Sequence, residues 1–233
     1  MTLSILVPVR NEGANLEIFV KMLEAFVETP HEILIIHDTK DDNSIDVVKR
    51  LSDKYNSLRL IHNTRGVGIP NAFKSGVEAS KYEYLMMLVA DDIGFVFSVE
   101  HMVSLMDEGY DLVQGSRMLP DSKTMNGAFF HRQLAKFGNK IFNFISGSKL
   151  TDPTLGIKMF KKYKLRELTL VAKPIGWAIL YELALKSQKH NWRVTEVPVI
   201  TINRLFGGKS TFSYKWLKEY GEWFFWGIVN LRN

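Results

Sequence analysis

Leu3-Ser4-Ile5-Leu6-Val7-Pro8-Val9-Arg10-Asn11-Glu12 is a short apolar run that stops on turn-forming and charged residues. After it, Leu16, Phe19, Val20, Leu23, Phe26 and Val27 recur at steps of three and four, and Ile33-Leu34-Ile35-Ile36-His37-Asp38 is a second short run. Runs too short for a helix read as buried strands, whereas three- and four-residue steps place side chains on one helical face. The unit is therefore strand, helix, strand, and it recurs. Further apolar runs stand at Leu58–Ile61, Tyr84–Ala90 and Leu112–Val113. Helical faces between most of them come from Asp46–Tyr55, Asn71–Ser80, and Val99, Met102, Val103 and Met106. This rhythm predicts an α/β fold with a mostly parallel, twisted sheet covered by helices on both sides.

The second half is less regular. The spacing predicts a helix over His131–Ile145 with Leu134, Phe137, Ile141 and Phe142 inward. It also predicts a strand at Ile157–Phe160, a helix over Trp177–Ser187 and one long extended stretch over Arg193–Ile202. No linker rich in Pro, Gly or Ser divides the chain, so residues 1–213 read as one domain and 214–233 as an added helix.

Composition removes several chemistries. With Cys 0 there is no disulfide, no cysteine-ligated metal and no thiol nucleophile. Lys+Arg 30 against Asp+Glu 25 gives +5, which suits phosphates or an anionic membrane and is too weak to argue for nucleic acid. No stretch reaches the ~18 apolar residues of a membrane span, and the start lacks the basic region of a signal peptide. A soluble or peripheral protein is expected. The sequence says nothing about oligomeric state.

In open parallel sheets ligands bind beyond the C-terminal strand ends. The residues there are Pro8, Asn11 and Glu12; His37 and Asp38, then Asp41-Asp42-Asn43-Ser44; Asn63 to Gly68, with Gly66 and Gly68; Asp91-Asp92; and Gly115-Ser116-Arg117. Asp, Asn and Gly are also ordinary turn and cap residues, but five such loops on one edge point to a site. The Asp91-Asp92 pair ends what should be a central strand, where carboxylates suit Mg²⁺ or Mn²⁺ shared with substrate phosphates. A cap for the following helix is the competing account. Neighbouring strand residues face opposite sides, which favours Asp91 as the one that reaches a metal. Gly66-Val67-Gly68 lacks the third glycine of a dinucleotide loop. Asn203 stands where the first glycine of a Walker loop ending at Gly208-Lys209-Ser210 belongs.

Seven segments, in order, resemble the family 2 glycosyltransferases, and within them the polyprenyl-phosphate (dolichol-phosphate) mannose synthase-like branch. They are Ile5–Glu12, His37–Ser44 with His37 in place of a first Asp, Arg65–Gly68 with Asn71-Ala72, Gly109–Arg117, Asp152–Lys158, Trp192–Val199 and Arg204–Ser210. The resemblance implies a GT-A fold and an inverting enzyme. That enzyme would move a sugar from a nucleotide-diphosphate sugar, of GDP-mannose or UDP-hexose type, with Mg²⁺ or Mn²⁺. Polyprenyl phosphate is the expected acceptor; the alternatives are a saccharide hydroxyl, or a non-catalytic nucleotide-sugar-binding protein of the same fold.

By the same resemblance, Pro8, Asn11, Glu12, Asp38, Gly66 and Gly68 hold the nucleoside. Asp91 corresponds to the last Asp of the D-x-D metal motif. Val89 replaces the first, leaving Asp92 to compensate. Arg117 and Arg204 face phosphates, Lys209 and Ser210 lie in a loop able to close over them, and Asp152 is the candidate base if the acceptor is a hydroxyl. On the C-terminal helix Trp216, Tyr220, Trp223 and Phe224 form one stripe and Lys215, Lys218 and Glu222 another. Such a stripe fits either a membrane interface or packing on protein. A lipid acceptor implies a cytoplasmic enzyme, peripheral at the cytoplasmic face of the membrane.

Overall fold

The computed structural model describes residues 1–125, 129–202 and 214–232, with side chains at 129–136 and 214–215 left out of the description. Strands β1 (Leu3–Val9), β2 (His31–His37), β3 (Leu58–His62), β4 (Tyr84–Met87), β5 (Leu112–Ser116), β7 (Lys158–Lys161) and β8 (Val194–Pro198) make the main sheet. β6 (Lys123–Met125) and β9 (Ile200–Ile202) make a two-stranded one. The helices are α1 (Gly13–Phe26), α2 (Ser44–Ser52), α3 (Ile69–Ala79), α4 (Val99–Asp107), α5 (Phe129–Ser146), α6 (Ala178–Lys189) and α7 (Tyr214–Asn230).

The strand order is β3-β2-β1-β4-β7-β5-β8. All neighbours are parallel except β7, which runs antiparallel to both β4 and β5. Its direction follows from where its preceding loop lies. Residues 152–157 sit at the C-terminal edge beside the end of β5, where the Gly115 amide donates to the Ile157 carbonyl. A strand leaving that edge has to descend. The order turns back at β1, whose neighbours are β2 and β4, so the ligand crevice opens at the C-terminal ends of β1 and β4.

Alternation along the strands splits the core into two layers. Leu3, Ile5 and Val7 face α1, α2 and α4, whereas Leu6, Leu34 and Ile36 face α3, α5, α6 and α7. Both faces of the sheet are therefore dry, as near-continuous apolar strands require.

Two expectations change, and for α7 one of the two readings left open is the one seen. The extended stretch over Arg193–Ile202 breaks at Val199 into β8 and β9, which belong to different sheets. On α5, Phe142 is buried as expected, but Phe137 and Ile141 are exposed; Leu134 falls among the undescribed side chains. On α7 the aromatic stripe faces protein. Trp223 is buried in the second core layer, and Tyr220 and Phe224 pack against it. Phe142 bridges the two helices, with ring centroids 5.1 Å from Phe224 and 6.0 Å from Tyr181 of α6. Packing wins because a Trp–Phe–Tyr stripe offered to a neighbouring apolar surface buries more area than it could at a water-facing end.

Candidate active site

The first cluster lies at the ends of β1, β2 and β3. Asn11 takes a left-handed backbone (φ 58°), which directs its amide toward Asp42. Both Asp42 carboxylate oxygens accept from it at 3.1 Å. The next two amides are met in the same way: Glu12 donates to Ser44 Oγ (3.0 Å) and Gly13 to Asn43 Oδ1 (3.0 Å). The Asp42–Ser44 turn thus supplies from another loop the caps that the start of α1 lacks in its own sequence. The sequence reading places Asp42, Asn43 and Ser44 at the strand-end edge without a role; the structure gives them this capping task.

Asp38 is half-buried and spends its oxygens on Asn63 Nδ2 (2.7 Å) and the Gly68 amide (2.9 Å). Asn63 ties the loop together, also donating to the Gly66 carbonyl and accepting from the Arg65 amide and Ser75 Oγ. Gly68 is irreplaceable on two counts: its φ is 123°, and an added Cβ would lie 2.9 Å from the Pro174 carbonyl oxygen. His37 is buried, bonded through Nδ1 to the Thr39 carbonyl (2.8 Å) and stacked on His62 at 5.0 Å. Asp38, Gly66 and Gly68 therefore shape the loop, while exposed Asn11 and half-buried Glu12 edge the crevice. Pro8 is buried inside β1, in register with Ile36.

The second cluster is built on β4, β5 and β7. β4 ends at Met87, so Leu88 to Asp91 follow it as a loop rather than as strand, with Leu88 and Ala90 buried in the core. Asp91 is half-exposed. Asp92 is buried; its Oδ1 accepts from the Gly94 amide (3.1 Å) and the Ile202 amide (2.7 Å), capping the 3₁₀ turn at Ile93–Ser98. Burial pushes its pKa up to about 6 against the pull of those two amides. Among the described residues no group of three or more His, Asp or Glu is arranged to hold a metal. The donor set that fits a divalent cation is Asp91 with substrate phosphates, since hard cations such as Mg²⁺ keep waters and bind through one or two carboxylates.

Arg117 is clamped rather than extended. Its Nε and one terminal nitrogen donate to Asp152 (2.7 and 2.9 Å), and its own amide adds a third bond (3.1 Å). Asp152 is fully buried and accepts further bonds from Asn139 Nδ2 of α5 (3.0 Å) and Thr154 Oγ1 (3.2 Å). Burial opposes its charge, but the Arg117 guanidinium outweighs burial and holds the carboxyl below its usual range. A carboxylate so depressed and saturated is a poor general base. Asp152 is therefore placed to hold Arg117 in orientation, and its bonding does not suit the base named for it in the case of a hydroxyl acceptor. Arg204, Lys209 and Ser210 lie outside the described residues.

Beneath this pair lies a polar layer that the sequence reading left without a role. Glu196 of β8 accepts from Gln114 Nε2 (2.7 Å), the Thr151 amide (2.8 Å), Thr151 Oγ1 (2.6 Å) and the Asp152 amide (3.1 Å). Lys158 is wholly buried and donates to the carbonyls of Pro153 (3.2 Å) and Leu155. Burial drives its pKa down from the ordinary 10.5 to about 7, against the attraction of Asp152 and Glu196. The folded protein therefore binds fewer protons here than the unfolded chain between about pH 7 and 10.5. Stability is expected to rise with pH through that window. Urea melts at pH 7, 8 and 9 should show this slope, and Lys158→Met should flatten it; parallel slopes would assign it to other groups.

These two clusters, five loops on one sheet edge, match a family model. The model of the family described as Glycosyl transferase family 2 matches residues 4–169. The chain belongs to glycosyl transferase family 2. The match spans β1 through β7 and both clusters.

Among curated relatives, the dolichol-phosphate mannosyltransferase of Pyrococcus furiosus is 26% identical over 224 residues, covering 94% of this chain and 62% of that protein. The polyprenol monophosphomannose synthase of Mycolicibacterium smegmatis is 24% identical over 212 residues, covering 87% and 78%. The chain thus spans about three fifths of the first relative's length and about four fifths of the second's. Among solved structures, glucosyl-3-phosphoglycerate synthase from Mycobacterium tuberculosis, in complex with Mn²⁺, UDP and glucosyl-3-phosphoglycerate, superposes with a TM-score of 0.69. Identity is 15%, and the match covers 99% of this chain and 78% of that one. The same enzyme with Mg²⁺ and UDP gives a TM-score of 0.66 at 16% identity. The fold is GT-A, as the seven segments imply.

Proposed function

We propose that this family 2 glycosyltransferase is an inverting enzyme that carries a hexosyl unit from a nucleoside diphosphate sugar to a polyprenyl phosphate. The observation that carries this reading is the state of Asp152. A sugar hydroxyl needs a base to take its proton, and the expected base is locked to Arg117 with its pKa depressed. A phosphate monoester, with a second pKa near ~6, is already mostly dianionic at neutral pH and needs none. It would attack the anomeric carbon from the face opposite the diphosphate.

Asp91 would hold the divalent cation, which when bound neutralises charge on the diphosphate. Arg117, oriented by Asp152, would stabilise the negative charge that grows as the diphosphate departs. Asn11 and Glu12 would edge the nucleoside pocket, on a loop held by Asp42, Asn43 and Ser44. The outer surfaces of α5 and α7 support a lipid substrate. Phe144, Phe225 and Val229 are 83%, 68% and 67% exposed, alongside exposed Lys140 and Lys218. Apolar side chains flanked by lysines suit an anionic bilayer surface. No helix among the described residues is long and apolar enough to cross a membrane.

The test is a thermal-shift panel of GDP, UDP and ADP with and without Mn²⁺, followed by a transfer assay. One of GDP or UDP at ~100 times its Kd should add about 2.7 kcal/mol. For a chain of this size that is a rise of roughly 5–10 °C, larger with Mn²⁺. The matching sugar nucleotide should then label polyprenyl phosphate in anionic liposomes. Labelling of a saccharide hydroxyl and not of the lipid would overturn the acceptor, and no shift with any diphosphate would overturn the reading.

A further inference from the structure

We propose that Asp92 is a positioning residue that ties the Asp91 turn to the small β6–β9 sheet, and through that sheet to the Arg117 turn. The proposal rests on the reading of Asp91 as the carboxylate that meets the metal and diphosphate. Three observations carry it. First, the single oxygen Oδ1 receives both the Gly94 and the Ile202 amides, so one atom joins the start of the 3₁₀ turn to the end of β9. Second, the two backbones are in direct contact: a Cβ on Gly94 would lie 2.4 Å from the Ile200 carbonyl oxygen. Third, β9 pairs in parallel with β6, Lys123 with Ile200 and Met125 with Ile202. β6 in turn is fastened to the end of β5 by Ser122 Oγ, which donates to the Ser116 carbonyl (2.6 Å), and to the residue between β8 and β9 by the Lys123 amide, which donates to the Val199 carbonyl (3.1 Å).

The chain of contacts therefore runs Asp91 turn, Asp92, β9, β6, Arg117 turn. Two groups assigned to the same diphosphate are held at a fixed separation by a carboxylate 3% exposed to solvent. Asp92 is extended (φ −134°, ψ 96°), which sends its side chain away from that of its neighbour. The sequence reading favours Asp91 as the ligand and leaves Asp92 to compensate for Val89; here Asp92 has a different task. Asp91 meets ligand, and Asp92 fixes where Asp91 stands.

Because both amides go to the one oxygen Oδ1, asparagine can do the same work, as its carbonyl oxygen accepts both. Alanine cannot. A metal ligand behaves in the opposite way, since the loss of charge in Asp92→Asn would then match that in Asp91→Asn.

The experiment compares Asp92→Asn, Asp92→Ala and Asp91→Asn by Mn²⁺ titration of nucleoside diphosphate binding, by kcat and KM for transfer, and by hydrogen exchange at the Ile202 amide. Expected for Asp92→Asn are Mn²⁺ affinity and kcat within about threefold of wild type, with Ile202 still protected. Asp92→Ala should exchange Ile202 at least tenfold faster and lose at least tenfold in kcat with little change in KM for the donor. Loss of Mn²⁺ response in Asp92→Asn equal to that in Asp91→Asn would overturn the proposal, as would an unchanged Asp92→Ala. If Asp92→Ala does not fold, the two asparagine variants still decide between ligand and strut. A wild-type protein with no transfer to any acceptor would fail the functional reading instead. Ile202 exchange and Mn²⁺ binding in the variants would then still judge Asp92.

Discussion

Asp91→Asn is expected to lower transfer by about 10²–10³-fold, the cost typical of removing one preorganised stabiliser of transition-state charge. It should also abolish the Mn²⁺ enhancement of nucleoside diphosphate binding. The reason is the thin donor set. Val89 stands where the family motif has its first aspartate, and Asp92 is turned to the Gly94 and Ile202 amides. One carboxylate then carries the protein's share of the cation, the rest coming from phosphates and water. The melting temperature of the ligand-free protein should stay within a degree or two, because Asp91 sits half-exposed in a turn. Thermal shifts with UDP and GDP, with and without Mn²⁺, measure both effects. A variant that keeps its Mn²⁺ response would remove Asp91 from the site.

The largest loss of stability is expected at Asp152. Asp152→Ala leaves the Arg117 guanidinium and Asn139 amide facing a void, and removing one partner of a buried pair costs about 3–5 kcal/mol. For a chain this long that is a fall of roughly 10 °C or more in melting temperature. Arg117→Ala should cost a similar amount by leaving a fully buried carboxylate unpaired. The double variant should lose clearly less than the sum of the two, since neither charge is then stranded. Urea melts of the four proteins measure the coupling; additive losses would show that the pair is not a unit. The same series tests the role assigned to Asp152. If it orients Arg117, Asp152→Asn should lower kcat while leaving the shape of the pH profile unchanged, because Arg117 acts on charge that develops in the transition state. A general base would instead show a fall in kcat with the pH dependence lost.

The physics behind these two predictions separates what sequence shows from what it hides. Periodicity is a local property. Apolar runs such as Leu3–Val7 and Ile33–Ile36, with helical steps between them, determine a mostly parallel sheet covered on both sides, and the protein has that architecture. The glycines and carboxylates at the strand ends likewise mark one edge, because parallel strands place all such loops together. Asp91 and Arg117 are visible for that reason, whereas Asp152 is named only through the family resemblance.

What each side chain does there is another matter. The antiparallel course of β7 depends on where the loop before it lands, and nothing inside Lys158–Lys161 states a direction. For a hydroxyl acceptor the resemblance makes Asp152 the base, but a guanidinium from 35 residues away and an asparagine from α5 make it an anchor. Asp92 and Asp91 are neighbours of identical chemistry, and only the approach of β9, from 110 residues away, separates them. The same holds for the aromatic stripe of α7, equally suited to bilayer or protein until α5 and α6 are in place beside it. Sequence by itself determined the fold class, the family and the edge that carries the site. Hydrogen-bond saturation and burial, which depend on residues distant in the chain, were decided by tertiary structure, and they set charge, basicity and role.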